Sequence, residues 1–473
     1  MNRKILISLL ILTAICVCGT ITILTGLFFA SRSSSGVLPF PTDDVQPAVQ
    51  SEAASVPPRT LDTPIPPVSQ AQQQLSPDLA SQMDQIQQQV IALRNLQPNK
   101  PVDRALLSPS ELQEKVETDF FKDYTAQDAK DDVLTLSTLG LLPKDFDLID
   151  LYKKLYSEQI AGYYDSKTKE MYVVQGKTFG GIERMTYAHE YTHTLQDQTY
   201  DLQNGLKINE ANCKIETEYC SAVTALLEGD ATYTEQNWML SNASAQDKTD
   251  MSDFYSNYSS PVFNAAPLYL QSDFLFPYKQ GLEFVYSLKD RSGYSLIDQA
   301  FKDPPVSTEQ ILHPDKYPAE KPVKIDLPDL MGILPKGWKK VESNELGEWY
   351  SYLVLAKGLD PKYQLPEDTA RKAAAGWGGD RYSLFRRSSD GAALLVLRSQ
   401  WDSQKDASEF FDALRQYGSQ RWGEPVVNHD LSVGWSGTPN GAISLQKSGT
   451  GIQWIIAPDV ETLKSVQSIL SQP

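Results

Sequence analysis

Two of the four histidines in this 473-residue chain lie four residues apart, in the stretch YAHEYTHTLQDQ. On a helix, His189 and His193 project from one face, one turn apart, and Glu190 lies next to the first of them. This HExxH spacing lets two imidazoles chelate one Zn²⁺ while the glutamate reaches a metal-bound water. Zinc lowers the pKa of such a water to about 7, and the carboxylate accepts its proton as it attacks a carbonyl. The motif therefore predicts one zinc ion per chain, with His189 and His193 as ligands and Glu190 as general base.

A third protein ligand must come from farther along the chain. The residues after His193 lack the glycine and the distal histidine of the metzincin pattern. Glu210, in INEAN, lies in a polar stretch. Glu228, in SAVTALLEGDAT, lies in an apolar stretch of small residues, where a buried charge is costly unless it is paired. We prefer Glu228, with Glu210 as the alternative ligand and a Glu228–lysine pair as the non-functional interpretation.

The residues that follow Glu228 suit a position beside the motif helix. Gly229 and Ala231 have small side chains, so we expect their helix to approach the motif helix closely. Asp230 is then predicted to accept a hydrogen bond from the free N–H of a ligand histidine and to orient that ring.

Peptide hydrolysis at such a site also needs a donor for the oxyanion of the tetrahedral intermediate. His313, in ILHPDKY, is a candidate because it precedes a proline in a predicted loop, where functional side chains often lie. Tyr278 and Tyr317 are the other candidates. His429 is interpreted as a surface residue.

An HExxH motif with a downstream glutamate on a second helix resembles the gluzincin metallopeptidases of the peptidase-MA-like set. YAHEYTHTLQDQ and ALLEGDAT are similar to stretches of a largely uncharacterised, prokaryotic, membrane-anchored group, and the resemblance covers the middle third of the chain. It implies zinc ligands at His189, His193 and Glu228, with Glu190 as general base. It also implies an upstream sheet whose edge strand holds the substrate in extended form, which we assign to KEMYVV, residues 169–174. The insert between the ligands is longer than the thermolysin spacing.

Periodicity and capping signals predict the elements that position these residues. Four helices are predicted before the motif, at residues 76–96, 108–124, 126–140 and 147–159. The apolar stripe of the first is expected to pack on the next domain rather than to form a coiled coil. Residues 160–175, with DSKTKE as the turn, predict a β-hairpin directly before the motif helix. Helices are also predicted at residues 222–240 and 276–288.

The predicted fold class is α+β. Residues 76–319 are expected to form a zincin-like metallopeptidase domain of helices and a small sheet. In residues 320–473, helices alternate with hairpins, which predicts a smaller α+β domain whose role the sequence does not indicate.

The N-terminus predicts a membrane anchor. Residues 5–30 carry no charge and exceed the roughly 20 residues that cross a hydrocarbon core. Arg3 and Lys4 precede them, which places the tip (residues 1–4) in the cytoplasm and the catalytic domain on the extracytoplasmic side of the cell membrane. A cleaved signal peptide is the alternative, but Phe28 and Phe29 lie where small residues are needed. Residues 31–75, rich in Pro, Ser and Gln, predict a disordered stalk.

Charge and cysteine usage limit the partners. A net charge of -17 argues against nucleic acid, which needs a basic face. Cys213 and Cys220 are predicted to close a small disulfide loop outside the cell.

The leading hypothesis is a membrane-anchored zinc metalloprotease acting on peptide or protein substrates, in an unspecified oligomeric state. The alternatives are a catalytically silent gluzincin-like binding module and a zinc amidase acting on cell-wall peptides.

Overall fold

A computed structural model describes residues 75–470, apart from residues 116, 119–120, 122–123 and 175–178. The predicted anchor (residues 5–30) and all but the last residue of the predicted stalk (residues 31–75) lie outside the described residues. Within the described ranges, no helix is both long and apolar enough to cross a membrane. At the level of fold class the described chain is mixed α+β, as predicted.

Helix α1 (Pro77–Arg94) opens the described chain and packs against the motif helix. Ser76 caps it, since its hydroxyl accepts a hydrogen bond from a backbone N–H of the first turn. Met83, Ile86 and Val90 are at most 4 % exposed and share an apolar cluster with residues of the motif helix. The predicted stripe therefore packs within the protein, as expected.

Three more helices lie between α1 and the hairpin: α2 (Pro109–Lys115), α3 (Ala126–Leu139) and α4 (Leu148–Gln159). Helix α4 contacts both of the others. The α-helix described within the predicted span 108–124 ends at Lys115. Helix α3 begins with a capping box and ends at Gly140, whose φ of 85° is the left-handed conformation that glycine favours.

The predicted hairpin is present, but it belongs to a three-stranded sheet. Strands β2 (Gly162–Asp165) and β3 (Glu170–Val174) pair antiparallel, and β1 (Asp103–Leu107), which was not predicted, pairs in parallel with β3. The strand order is β1–β3–β2. The assignment of residues 169–174 to a substrate-binding edge strand is therefore wrong, because both hydrogen-bonding sides of β3 are occupied by neighbouring strands.

The helices that follow the sheet include the two that carry the predicted ligands, α5 (Gly181–Tyr200) and α7 (Thr217–Ser241). In chain order, the helices after the sheet are α5, α6 (Glu210–Cys213), α7, α8 (Ala245–Asn257), α9 (Pro261–Ala265), α10 (Leu268–Ser292), α11 (Tyr294–Lys302) and α12 (Thr308–Leu312). Helix α7 packs between α5, which carries the motif, and α10.

Helices α7 and α10 cross at two glycines. A Cβ atom on Gly229 would lie 2.2 Å from the carbonyl oxygen of Gly281, and a Cβ atom on Gly281 would lie 2.0 Å from that of Ala225. Only glycine permits this approach of the two backbones. The close approach predicted for Gly229 exists, but the predicted partner is wrong: Gly229 faces α10 and not the motif helix.

The predicted Cys213–Cys220 disulfide is confirmed, with a sequence separation of 7. It joins α6 to the first turn of α7, and both cysteines are at most 1 % exposed. The crosslink thus fixes the start of the helix that carries Glu228 about two turns later.

The C-terminal part is built on a second sheet. Its elements are β4 (Trp338–Asn344), α13 (Gly347–Ala356), α14 (Glu367–Ala374), β5 (Trp377–Arg387), β6 (Ala393–Trp401), α15 (Gln404–Trp422), β7 (Val427–His429), β8 (Ser432–Thr438), β9 (Gly441–Ser448), β10 (Gly451–Ala457) and α16 (Val460–Leu470). The seven strands follow the order β4–β5–β6–β10–β9–β8–β7, and all neighbours are antiparallel. The predicted alternation of hairpins and helices is confirmed, and His429 is exposed on strand β7, as interpreted.

One apolar core joins the helices around the motif to the second sheet. Phe274 of α10, Trp349 of α13 and Trp401 of β6 are at most 5 % exposed and belong to the same cluster. Asp273 accepts hydrogen bonds from the Trp349 indole N–H at 2.9 Å and from the Tyr350 hydroxyl at 2.5 Å. The two parts of the chain therefore share their packing.

Candidate metal centre

The first two candidate ligands lie one turn apart on α5. The ring centroids of His189 and His193 are 4.9 Å apart, and their Nε2 atoms are 3.2 Å apart. Both residues are at most 2 % exposed. The helix begins after Gly180, whose N–H donates to the Glu183 carboxylate, so its start is fixed more than two turns before the motif. The histidines therefore share one helix face, as their spacing predicted.

Glu228 enters the same space from α7. Its Oε2 lies 3.2 Å from His189 Nε2 and 3.4 Å from His193 Nε2. Its other carboxylate oxygen, Oε1, is buried, and no hydrogen bond from the described part of the chain reaches it. Glu210 begins the short helix α6 and is not part of this group. The structure thus brings Glu228, rather than Glu210, to the histidines.

Hydrogen bonds on the far side of each ring determine its tautomer. His189 Nδ1 is 2.8 Å from Oε2 of Glu235, and an ionised carboxylate only accepts, so Nδ1 carries the proton. His193 Nδ1 is 2.8 Å from Oε1 of Gln196, an amide oxygen that also only accepts. With Nδ1 protonated, the neutral form of each imidazole directs an Nε2 lone pair toward Glu228 and the other ring.

The Gln196 amide is itself held in one orientation. Its Nε2 donates to the Leu227 carbonyl at 3.1 Å and to Asp230 Oδ2 at 2.9 Å, so its oxygen faces His193. Asp230 also accepts from the buried guanidinium of Arg94 at the end of α1. The prediction that Asp230 accepts directly from a ligand histidine is wrong, because Gln196 lies between them. Asp230 orients His193 only through that amide.

These three acceptor atoms define a cation site. Their separations of 3.2, 3.2 and 3.4 Å are close to the distance of about 3.3 Å between ligand atoms of a tetrahedral zinc ion with bonds of about 2.0–2.1 Å. Two imidazole nitrogens and a carboxylate oxygen are also ligands that zinc prefers. The residues present therefore fit one zinc ion and leave a fourth coordination position for water or substrate.

The pKa shifts show that this group attracts positive charge. Burial lowers the pKa of His189, but the hydrogen bonds and charges of Glu228 and Glu235 outweigh it and raise that pKa to about 10. Burial likewise opposes protonation of His193, and the Glu228 carboxylate again raises its pKa. The histidines in turn lower the pKa of Glu228 against the effect of burial. Two carboxylates thus give this buried site an affinity for a cation, whether a proton or a metal ion.

Two further predicted residues lie near the ligands. Glu190 is fully buried on α5, and its charge raises the pKa of His193, so its carboxylate is within electrostatic reach of that ring. Tyr278 of α10 has its ring centroid 6.4 Å from that of His189 and is 1 % exposed. Tyr317 instead donates its hydroxyl to the carbonyl group that follows α11. Of the candidate oxyanion donors, Tyr278 is the one beside a ligand.

His313 is not brought to the ligands. It ends α12, and its Nε2 lies 2.9 Å from Oε1 of Glu348 on α13. Helix α12 is attached to the first turn of α7, where Glu218 accepts from the backbone N–H of Thr308. That contact is ten residues before Glu228, or about 15 Å along the helix. The structure therefore pairs His313 with a carboxylate at the junction with the C-terminal part and does not support it as the oxyanion donor.

Three residues that support the ligands were not predicted, although the sequence held a signal for each. Glu235 follows Glu228 by seven residues, so two turns of an apolar helix carry two carboxylates on one face. Gln196 follows His193 by three residues and shares its face. Arg94 continues the buried stripe of α1, where a charge requires a buried partner; it pairs with Asp230 at 2.7 Å.

Replacing Glu235 with alanine is expected to weaken zinc binding about 10- to 100-fold, because His189 loses the acceptor that holds its Nδ1 proton. Competition with a chromophoric chelator measures this affinity. Glu235→Gln is the matched control, since it keeps an oxygen acceptor at similar volume and should retain most of the affinity. Equal affinities for the wild type and Glu235→Ala would show that the hydrogen bond does not support the ligand.

The match to a known family lies in the C-terminal part of the chain, which contains the second sheet. No curated protein and no solved structure matches the chain. The candidate ligands, at residues 189–228, lie before the region that a family model matches. Residues 335–467 are similar to a family described as a domain of unknown function (DUF8575).

Proposed function

We propose that this chain is a zinc-dependent metallopeptidase of the gluzincin type that hydrolyses peptide bonds. The proposal is carried by the convergence of His189, His193 and Glu228, with acceptor atoms 3.2–3.4 Å apart, in a buried site that also holds Glu190. This donor set, with a neighbouring carboxylate, is the one that metal-assisted hydrolysis uses. The resemblance of the motif stretches to gluzincins supports the same assignment.

We further propose that residues 5–30 anchor the protein in the cell membrane, with the catalytic part on the extracytoplasmic side. The Cys213–Cys220 disulfide supports this location, because disulfides persist in oxidising compartments and are rare in the cytosol. The uncharged length of residues 5–30, preceded by Arg3 and Lys4, supports the same orientation.

The protein's own residues hold and orient the metal. A bound zinc ion would supply a Lewis acid that polarises a carbonyl and lowers the pKa of water. His189, His193 and Glu228 provide its ligand atoms. Glu235 and Gln196 hold the Nδ1 protons, so that the Nε2 lone pairs stay directed into the site. These outer hydrogen bonds also raise the basicity of the ligand nitrogens.

Proton transfer falls to Glu190. Its carboxylate takes the proton of the attacking water and delivers it to the leaving amine nitrogen, so the base of one step is the acid of the next. The Tyr278 hydroxyl is the donor we assign to the developing oxyanion, because its ring lies beside His189. Both residues are buried, which strengthens their electrostatic effect on the reacting atoms.

The site is closed in this structure. His189, Glu190 and Glu228 have no exposed surface, and His193 is 2 % exposed. A peptide bond therefore reaches Glu190 only in a conformation that is more open than this one, as in other enzymes whose sites open to admit substrate.

The test is hydrolysis by the purified full chain in non-ionic detergent. The zinc-loaded chain should contain about one zinc ion and cleave unfolded casein or a mixed peptide library. 1,10-Phenanthroline should abolish the cleavage, and added zinc should restore it. A chain that binds zinc without hydrolysing any peptide would overturn the peptidase and favour a binding module, and one that takes up no zinc would refute the centre itself.

A further inference from the structure

A groove of about 650 Å³ lies on one face of the second sheet and is separate from the metal centre. Ser432, Gln446, Gln453 and Arg398 line it. They lie directly opposite one another on β8, β9, β10 and β6. Residues directly opposite on neighbouring antiparallel strands share a face of the sheet. The floor of the groove is therefore a row of polar side chains that crosses four strands, with a cation at one end.

Two residues farther along β6 and β10 from Arg398 and Gln453, the side chains on the same face of the sheet are apolar. Val396 and Ile455 lie opposite each other there and pack in one cluster with Val466 of α16. Helix α16 covers this half of the face and ends at Leu470, which lines the groove. Residues 324–326, which precede β4, form another side. The groove is thus a walled recess where the covering helix ends, and the strands change there from apolar to polar side chains.

Arg398 gives this recess its charge. Its Nη2 donates to the Leu470 carbonyl at 2.5 Å, and its Nε is 3.4 Å from Gln453 Oε1. Within the described residues no carboxylate pairs with Arg398. In contrast, Arg381, which lies directly opposite on β5, has its Nη1 3.7 Å from Oε1 of Glu345. Burial lowers the pKa of Arg398, as expected for a cation that is partly removed from water.

The rest of the groove adds little net charge. Lys324 and Asp326 both line its side and offset each other, and the remaining floor residues are neutral amides and a hydroxyl. Lys447 also lines the groove, but its Nζ donates to Ser408 of α15, which lies outside the groove. The chain as a whole carries a net charge of -17. Arg398, with which no carboxylate of the described residues pairs, therefore has a charge opposite in sign to the net charge of the protein, and it complements an anionic group on a polar ligand.

We propose that this groove binds the C-terminal end of an extended peptide, with the free carboxylate at Arg398. A guanidinium pairs with a carboxylate through two parallel hydrogen bonds. Gln453, Gln446 and Ser432 then face the preceding peptide groups, since amides and hydroxyls both donate and accept hydrogen bonds. The row spans three strand spacings, about 14 Å, which equals the length of roughly four extended residues. The four floor residues lie within the residues that match the domain family of unknown function, so the proposal assigns peptide binding to that part of the chain.

The test compares two tetrapeptides by isothermal titration calorimetry on the full chain in detergent: N-acetyl-tetraalanine with a free carboxylate and its C-terminal amide. 1,10-Phenanthroline is present, so that a carboxylate cannot report on a metal ion, and this chelator carries no competing acid group. The free acid is expected to bind at least 10-fold more tightly than the amide. Arg398→Gln should remove that difference.

Further variants distinguish a lost site from a lost fold. Gln453→Glu places the protein's own carboxylate beside Arg398 at nearly constant volume, and it should likewise remove the preference for the free acid over the amide. Arg415→Gln, which removes an α15 arginine paired with Asp412 outside the groove, should bind like the wild type. Glu190→Gln should also bind like the wild type, because the groove does not depend on the peptidase proposal. Equal affinity of the wild type for acid and amide, no binding of either, or an unchanged preference for the acid in Gln453→Glu would overturn the proposal.

Discussion

The substitution Glu190→Gln is expected to reduce chelator-sensitive peptide hydrolysis by about 10²- to 10⁴-fold, while the chain keeps its zinc ion. Glutamine has nearly the same volume as glutamate but cannot accept the proton of the attacking water. The three ligand atoms belong to His189, His193 and Glu228, so the metal should remain. Initial rates on one fluorogenic peptide and zinc content by mass spectrometry measure the two effects.

Glu183→Gln is the matched control for this change. It removes a carboxylate from the same helix, at its first turn, more than one turn before the motif, and should leave hydrolysis and zinc content near wild type. Full activity in Glu190→Gln would mean that the general base is misassigned. Loss of zinc in that variant would mean that Glu190 acts on the metal site itself and not on the proton.

The substitution Glu228→Ala is expected to weaken zinc binding by more than 100-fold, a loss of about 2.8 kcal/mol of binding free energy. The effect should exceed that of an outer hydrogen bond because a ligand atom is removed. Two histidines one turn apart would remain as a weaker, two-coordinate chelate. Chelator competition gives the affinity, and the upward shift in Tm on adding zinc gives an independent measure, because a ligand that binds only the folded state stabilises it.

Glu210→Ala is the control, since Glu210 was the alternative third ligand and lies at the start of α6 outside the group. Its affinity for zinc and its Tm shift should match the wild type. A zinc-dependent Tm shift that survives in Glu228→Ala but disappears in Glu210→Ala would reverse the assignment. Glu228→Gln, which preserves side-chain volume, guards against a loss of fold in the alanine variant.

The group of candidate ligands could be predicted from the sequence because its signals are local. The i, i+4 spacing places His189 and His193 on one helix face in any fold, and a lone carboxylate in an apolar helix needs a buried partner. The hairpin and the C-terminal alternation were also visible, since periods of 2 and 3.6 residues are properties of short windows. The Cys213–Cys220 loop depended only on sequence separation and compartment.

The wrong predictions concerned the neighbours of a strand, a helix and two side chains in the folded protein. Strand β1 pairs in parallel with β3 from more than sixty residues away, and no local pattern reports a parallel partner, so β3 was mistaken for an edge. Gly229 signals a close helix contact but not its partner, which is α10. Asp230 meets Gln196 instead of a ligand ring, and His313 meets Glu348, because side-chain partners depend on the three-dimensional packing of separate helices.

The apolar core that the helices share with the second sheet determines when the helices can complete their packing during synthesis. When a ribosome has made the chain as far as residue 319, all candidate ligands exist, but Trp349 and Trp401, which complete that core, do not. Helix α10, which crosses the ligand helix α7 at its glycines, keeps an uncovered apolar face until those later segments arrive. Chains fold from their N-terminal end only where a segment can complete its own core during synthesis. The helices that carry His189, His193 and Glu228 therefore complete their packing only after these later segments have been synthesised.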